Sequence, residues 1–479
     1  MRSFLTALIL LTTCAAPAQV GFNSAFYATS QGGQGLGIAS GDFNRDGLPD
    51  IAVGTNGAVN VYMNLGGGKF GPAVGYAIVG DGSVIQAVDI NNDGWLDLVV
   101  ESVNQTSLTV LLNNGNGSFS NGAPITLTEP SFDLAVGDLR NNGNIDLVVL
   151  QCDTTTNNCQ FAVFNGAGTG TFTPGTVIDI AGRFVSGLTL ADVYEDGKLD
   201  IIHTVDAQVQ IRRGNGDGTF QAPASLTPPA VCPPDNSTCA DSLPSVVVAD
   251  FNHDAALDIA VLQAHACGSA CGNNTVYIYR NNGAGAFTLS SSFTMGPSAG
   301  GRLYAGDLNG DQETDLINLN GAHFGGGVVY VIGKGDTTFG TEQSLNTSDN
   351  TALVLRDFNL DSRHDLGISS WMGSGWQAFI NTTSFTNCAN PGSANLAVHI
   401  CKPANNATLS SPVLVTAGGN SPAGVMRMEV WVDGVKRTQN WSDQIARNVT
   451  LASGTHQITV VAVDRYKGVG KTTVTVKVP

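Results

Sequence analysis

Positive charge is scarce in this chain. Lys and Arg number 22 against 39 Asp and Glu, and charged residues of both signs make up only 13% of its 479 residues. A net charge of -17 repels a phosphate backbone and argues against nucleic acid as a partner. Beyond the N-terminus there is no apolar run long enough to cross a bilayer as a helix. The chain also has no C-x-x-C pair, no H-E-x-x-H and no P-loop. Zinc-ribbon, zincin and P-loop nucleotide chemistry therefore have no residues to run on. Glycine, in contrast, is abundant at 59 residues, which suits many short strands joined by tight turns.

The first residues read MRSFLTALILLTTCAAPAQV. Arg2 supplies a positive start, Phe4 to Leu11 an apolar core, and Ala16-Pro17-Ala18 an A-x-A cleavage site, so residues 1–18 are expected to be a secretory signal peptide. A lipid anchor on Cys14 is the alternative, disfavoured by the bulk of Thr13 before it. Eight cysteines remain after residue 18, as close neighbours: Cys152 with Cys159, Cys232 with Cys239, Cys267 with Cys271, and Cys388 with Cys401. An even number in an exported chain reads as disulfides. Pairing by proximity is one of many connectivities.

One stretch organises the rest. In GDFNRDGLPDIAVG, from Gly41 to Gly54, Asp42, Asn44, Asp46 and Asp50 fall at loop positions 1, 3, 5 and 9, and Gly47 at position 6. Hard cations such as Ca²⁺ take oxygen ligands at about 2.3–2.6 Å, and a tight loop with such spacing supplies them, with the carbonyl of Leu48 at position 7. The apolar run that follows makes the loop a connection between two strands. The first Asp recurs as Asp89, Asp138, Asp192, Asp250, Asp307 and Asp357, at intervals of 47, 49, 54, 58, 57 and 50 residues. A period of this size marks a propeller, solenoid or array.

The seven copies differ. Asp89, Asn91, Asp93 and Asp97 repeat the full set. So do Asp250, Asn252, Asp254 and Asp258, with Ala255 at position 6, a substitution acceptable only if φ there is negative. Asp307, Asn309, Asp311 and Asp315 carry Gln312 at that position, and Asp357, Asn359, Asp361 and Asp365 carry Ser362. The fourth loop keeps Asp192, Asp196 and Asp200 but has Tyr194 at position 3. The third, with Asp138, Asn142 and Asp146, has Arg140 there, whose charge can replace that of a metal, so it is the weak member of the set. Asp and Asn also build plain turns, but five complete copies point to Ca²⁺ in a structural role.

Around each loop the grammar is constant. An apolar strand A leads into the Asp, as in FDLAVGDL, and strand B follows it, as in DLVVL. Strand C comes next, as in FAVFN, and a Gly-rich turn ending in Phe leads to strand D. Four strands in a unit of this length describe a propeller blade. The seventh unit lacks its strand D, while the mature N-terminus, GFNSAFYATSQG, resembles one. Residues about 21–30 should therefore pair in the seventh blade and close the ring, removing two exposed edges.

These repeats resemble the FG-GAP/VCBS family, whose relatives include the seven-bladed propeller of integrin α-chains. The resemblance implies Ca²⁺ in the A–B loops and extracellular adhesion or recognition, with some members lectins or carbohydrate-active enzymes. After Pro391 the pattern changes. VLVTA, VMRMEVWVDG, RNVTL, HQITVVAVD and KTTVTVKV read as strands, Asp433-Gly434 as a hairpin turn, and Met426, Met428, Val430 and Val432 as one alternating face. This part is similar to a bacterial immunoglobulin-like β-sandwich without an inter-sheet disulfide. The expected organisation is all-β: a signal peptide at 1–18, a seven-bladed propeller at 19–387 and a sandwich with its linker at 388–479.

Charge is uneven between these parts. Residues 402–479 carry nine Lys and Arg and four Asp and Glu, whereas residues 19–401 carry twelve and 35. Most of the surplus acid lies in the loops. With the A–B loops at one end of the ring, the B–C and D–A loops lie at the other, and so do the three cysteine pairs expected in the propeller. His323 and Phe324, and Trp371, Met372 and Trp376, fall in B–C loops of the sixth and seventh units. A rim of rings on a rigid scaffold suits a glycan or an extracellular protein. The packing alternative for Trp371 and Trp376 stays open, and His265 and His323 have no sequence-visible partners. No catalytic residue is assigned. The expected function is a secreted or cell-surface, Ca²⁺-binding recognition protein, with the periplasm as the other compartment. The rival is a lyase-like polysaccharide enzyme whose base and Arg would come from separate blades.

Overall fold

The structure is a computed structural model that describes residues 20–30, 34–156, 158–182, 185–230, 240–266, 274–296, 301–311, 313–320, 327–345, 347, 350–361, 363–371, 375–383, 391, 395–440, 443–465 and 467–479. The signal segment 1–18, Cys232, Cys239, Cys267, Cys271, Cys388, His323, Phe324 and Met372 lie outside the described residues. Every element among the described residues is a strand.

The first repeat shows how the pattern becomes a sheet. Ile38–Gly41, Asp50–Thr55, Ala58–Tyr62 and Val74–Ala77 pair antiparallel in chain order, with Gly41 opposite Asp50, Thr55 opposite Ala58 and Val61 opposite Val74. Strand B is buried at every position, as expected for an apolar run covered on both faces. Among the described residues six further sheets repeat the order A-B-C-D, and in the first of these strand D is split into Phe119–Asn121 and Ile125–Thr126. The A strands of successive sheets adjoin, and that of the seventh, Asn350–Arg356, adjoins that of the first. The result is a propeller with its cores between sheets. One such core joins Val59 and Val61 to Leu98 and Val100 of the next sheet.

The ring closes as the missing strand required. Phe22–Ala28 pairs antiparallel with Gly375–Asn381, Phe22 opposite Asn381 and Ala28 opposite Gly375, and so supplies strand D of the seventh sheet. The seam with the first sheet is aromatic. Trp376 stacks on Tyr27 at 4.9 Å between ring centroids and meets Phe70 edge-on at 4.8 Å. Main-chain bonds cross the seam as well, from Gly35 N to Ser370 O at 2.8 Å.

Residues 397–478 form a separate two-sheet sandwich. Three strands, Ala397–Lys402, Val413–Asn420 and Gln444–Val449, face five: Ala407–Thr408, Val469–Val478, Gly454–Asp464, Val425–Val432 and Val435–Asn440. Met428, Val430 and Val432 point into its core, and Asp433 and Gly434 take the positive φ of a two-residue hairpin turn.

The seam gives a stability test. Trp376→Ala should cost about 3–5 kcal/mol in urea unfolding, because it empties a closed aromatic core. Trp371→Ala, on the surface of the same hairpin, should change stability by less than about 0.5 kcal/mol. Equal effects would mean that the seam does not hold the ring shut.

Candidate functional site

The aspartate loops are built by backbone geometry first. Position 4 has positive φ in all seven loops: Arg45, Asn92, Asn141, Glu195, His253, Gly310 and Leu360. Position 6 has positive φ in Gly47, Gly94, Gly143, Gly197 and Ala255. The two left-handed residues turn the amides of the loop inward. In the first loop Asp46 N donates to Asp42 Oδ1 at 3.1 Å, Gly47 N to Asp42 Oδ2 at 2.9 Å, and Leu48 N to Asp46 Oδ1 at 2.9 Å. The expectation that position 6 tolerates a non-Gly residue through negative φ is therefore corrected. Ala255 sits at φ 77° and carries the strain of its Cβ.

Position 9 has a role that sequence did not show. Asp50, Asp97, Asp146, Asp200, Asp258, Asp315 and Asp365 are all fully buried. In each, one oxygen accepts the N–H of loop position 2 and the other accepts an N–H from the end of strand C. Asp50 binds Phe43 N at 2.8 Å and Asn64 N at 2.7 Å, and Asp365 binds Phe358 N at 2.8 Å and Asn381 N at 2.7 Å. Except at Asp146, whose oxygens also accept from Arg140, each oxygen keeps a second lone pair that a cation can take. Beside this staple, Asn64, Asn113, Asn281 and Asn381 reach back to the preceding sheet. Their amides donate to Phe358 O, Phe43 O, Val193 O and Leu308 O at 2.7–2.9 Å. The only sequence signal for these stitches was an Asn ending strand C.

Electrostatics separates the loops. In the third, Arg140 Nη2 bonds Asp146 at 2.8 Å and also donates to Gly166 O, so a guanidinium occupies that site. In the fourth, Arg213 from strand C bonds Asp196 at 2.8 Å and lies over the Tyr194 ring. In the seventh, Arg363 bonds Asp361 at 3.0 Å. Among the described residues no Lys, Arg or His pairs with the carboxylates of the first two loops. There burial pushes Asp42 up to about 6, Asp50 up to about 8 and Asp97 up to about 7. Asp89 Oδ1 is buried with no hydrogen-bond partner. A cation bound among these oxygens supplies the missing charge and the missing partner, so the residues fit Ca²⁺. Among the described residues no three Asp, Glu, His or Cys groups form a metal cage unaided. A cation there would need the Asn side chain of position 3 and a loop carbonyl beside the carboxylates.

At the other end of the ring, Trp371 is 38% exposed just after strand Asp365–Ser370. Trp376 is 0% exposed and packs in the seam described above, so it offers no face to a ligand. Strand alternation decides this, because Trp376 lies inside strand C rather than in the loop before it. The Cys152–Cys159 disulfide clamps the B–C hairpin of the third sheet. Cys401 is also disulfide-bonded. His265 is not alone, since its Nδ1 bonds Asp241 at 2.7 Å and its Nε2 lies 3.3 Å from Thr275 Oγ1.

A second polar group lies among strands A and B. Arg302 of the sixth sheet is hydrogen-bonded to Tyr304 and within electrostatic reach of Asp133 and Glu101 of the third and second. Glu101 accepts a bond from Ser131 Oγ at 2.9 Å, and burial pushes its carboxyl up to about 7. The string Gly296-Pro297-Ser298-Ala299-Gly300 has nucleophile-elbow spacing, but the element that follows it is strand Arg302–Gly306, whereas an elbow leads from a strand into a helix.

Fold and loops together define a β-propeller of aspartate-loop repeats with a β-sandwich behind it. The FG-GAP-like repeat family matches residues 42–100, 89–149, 192–261 and 267–318, which contain six of the seven aspartates that open a loop, and the Bacterial Ig domain family matches 397–460. The chain carries FG-GAP-like repeats followed by a C-terminal bacterial Ig domain. No curated protein matches it. Three solved structures are similar at low identity. One is a lectin of Agrocybe aegerita that recognises non-reducing terminal N-acetylglucosamine, at 20% identity and TM-score 0.46, covering 73% of this chain and 85% of that one. Another is BBS1N in complex with ARL6DN, at 12% identity and TM-score 0.49, covering 76% and 98%. A third is a Lactobacillus plantarum protein, at 11% identity and TM-score 0.44, covering 66% and 85%.

The strained bend is open to measurement. Ala255→Gly should stabilise the protein by about 0.5–1 kcal/mol, the relief at positive φ outweighing the added freedom of the unfolded chain. Loss of stability in thermal unfolding would show that the methyl group packs usefully.

Proposed function

We propose that this is an exported recognition protein, stabilised by Ca²⁺ in its aspartate loops, that binds a glycan or an extracellular protein through the face opposite those loops. The observation that carries this reading is the division of labour between the two ends of the ring. Main-chain staples, buried carboxylates and the Ig domain occupy the loop end. The other end presents the cysteine-clamped hairpin of the third sheet and the exposed Trp371. No described helix is long and apolar enough to cross a membrane. Residues 1–18 are assigned as signal peptide, 19–387 as propeller and 388–479 as linker and sandwich. The cysteine pairs at 232/239, 267/271 and 388/401 are assigned as disulfides on sequence grounds, and His323 and Phe324 to the recognition rim on the same grounds.

Ca²⁺ is placed with the first, second, fifth, sixth and seventh loops, and in the fourth it competes with Arg213. The pH dependence tests this. A carboxyl whose folded pKa is raised adds stability below its unfolded value of ~3.9 and loses it as pH rises through the folded value. Asp258 is pushed up to about 7 and Asp365 up to about 8 by burial, with Asp50 and Asp97 in the same range. In excess chelator, melting temperature should therefore fall as pH rises from about 5 to about 8. Saturating Ca²⁺ should remove that fall and stabilise by mass action. Identical pH profiles with and without Ca²⁺ would refute the metal assignment.

Recognition is tested with a glycan array and a panel of extracellular proteins. Trp371→Ala should weaken binding by about 2 kcal/mol, as loss of an aromatic anchor does, while Asp42→Ala lowers stability and leaves affinity unchanged in folded protein. The reverse pattern would move recognition to the loop face. The rival reading, a polysaccharide-active enzyme, is favoured by one observation, the Arg302, Tyr304, Asp133 and Glu101 group drawn from three sheets. Turnover of any polysaccharide, abolished by Tyr304→Phe, would establish it.

A further inference from the structure

The Ig domain lies against the aspartate-loop end of the propeller and touches loop after loop. Gln439 Nε2 donates to Ala255 O of the fifth loop at 2.6 Å. Arg447 donates to His253 of the same loop, and His253 pairs with Glu313 of the sixth. His364, in the seventh loop, pairs with Asp443 at 3.5 Å. Lys467 donates to Asn141 of the third loop. A small polar cavity is shared by Asp42 and Asp357 on the ring side and Ser421 and Asp443 on the sandwich side.

The charges across this boundary are complementary. The sandwich side is basic by nine residues to four, and the propeller acidic by 35 to twelve. Arg447 is half-buried, within electrostatic reach of Glu313 and of Asp250, the first ligand position of the fifth loop. Lys467 acts in the same way on Asp192 of the fourth loop, and Lys436 on its neighbour Glu195. These side chains do from the second domain what Arg140 and Arg213 do from within the ring.

We propose that the loop face of the propeller is a docking surface for the chain's own Ig domain, and that docking and Ca²⁺ loading oppose one another. The inference rests on the Ca²⁺ reading above. Both Ca²⁺ and the basic side chains neutralise the same carboxylates, so each reduces the attraction felt by the other. Linkage makes the effect reciprocal: if Ca²⁺ loosens the docked domain, weakening the dock must tighten Ca²⁺ binding by the same factor. The docked domain is thus a cover that senses the cation, released as Ca²⁺ fills the loops.

The test uses full-length protein at constant ionic strength. Ca²⁺ affinity is measured by competition with a chromophoric chelator, and interdomain distance by a spin-label pair with one label on each domain. The double substitution Arg447→Gln with Lys467→Gln should raise Ca²⁺ affinity about fivefold and lengthen the interdomain distance without Ca²⁺. Adding Ca²⁺ to the unsubstituted protein should lengthen it too. Gln439→Ala, which removes a neutral contact and no charge, should act in the same direction by a smaller factor and serves if the double variant does not fold. Unchanged or weakened Ca²⁺ affinity in a folded variant overturns the linkage alone. No Ca²⁺ bound by either protein overturns the metal reading and the linkage together, and the label distances then report the dock by itself.

Discussion

Seven buried carboxylates hold this architecture together. Each position-9 Asp ties the start of its own loop to the end of strand C through two main-chain N–H groups. An apolar side chain there would strand two buried donors, and each orphaned donor costs about 1–3 kcal/mol. The same bonds fix where strand C ends, and so where the Asn that follows can reach the sheet before it. Ring geometry thus passes from a loop to a strand end to a neighbouring sheet through hydrogen bonds of 2.7–3.2 Å.

Such a design gathers negative charge at one end of the ring, and the protein neutralises it in more than one way. Arg140 and Arg213 do so within the third and fourth loops, the loops that have lost the Asn of position 3. Basic residues of the Ig domain face the fourth to sixth loops from outside. The first two loops have neither, and at Asp89 one carboxylate oxygen is buried without a partner. The distribution of arginines therefore sorts the loops by how much they stand to gain from a cation.

The opposite end of the ring is less crowded with constraints. Its loops vary in length and carry the cysteine pair of the third sheet and an exposed tryptophan. A scaffold that fixes one end by staples leaves the other free to diverge, and binding residues concentrate on loops of that kind. The Arg302–Tyr304 pair on strand A of the sixth sheet is the exception, since with Asp133 and Glu101 it makes a polar group whose members come from strands far apart in sequence.

The sequence alone determined what depends on spacing. The Asp period defined the repeat, alternation and turn residues defined four strands in each, and a missing last strand together with a spare first one required closure by residues 22–28. Arg140 as a substitute for a metal's charge was legible as well, because it lies within the loop it serves. Tertiary structure alone decided what depends on assembly. Trp376 and Trp371 look alike in sequence, yet one closes the seam and the other faces solvent, because strand C begins between them. Arg213 reaches Asp196 across 17 residues, Asn64 reaches Phe358 across 294, and Gln439 reaches Ala255 across 184. Local pattern encodes hydrogen bonds within a turn and the face a side chain takes. It does not encode which distant surface arrives opposite that face, since this is fixed only when the ring has closed and the sandwich has docked.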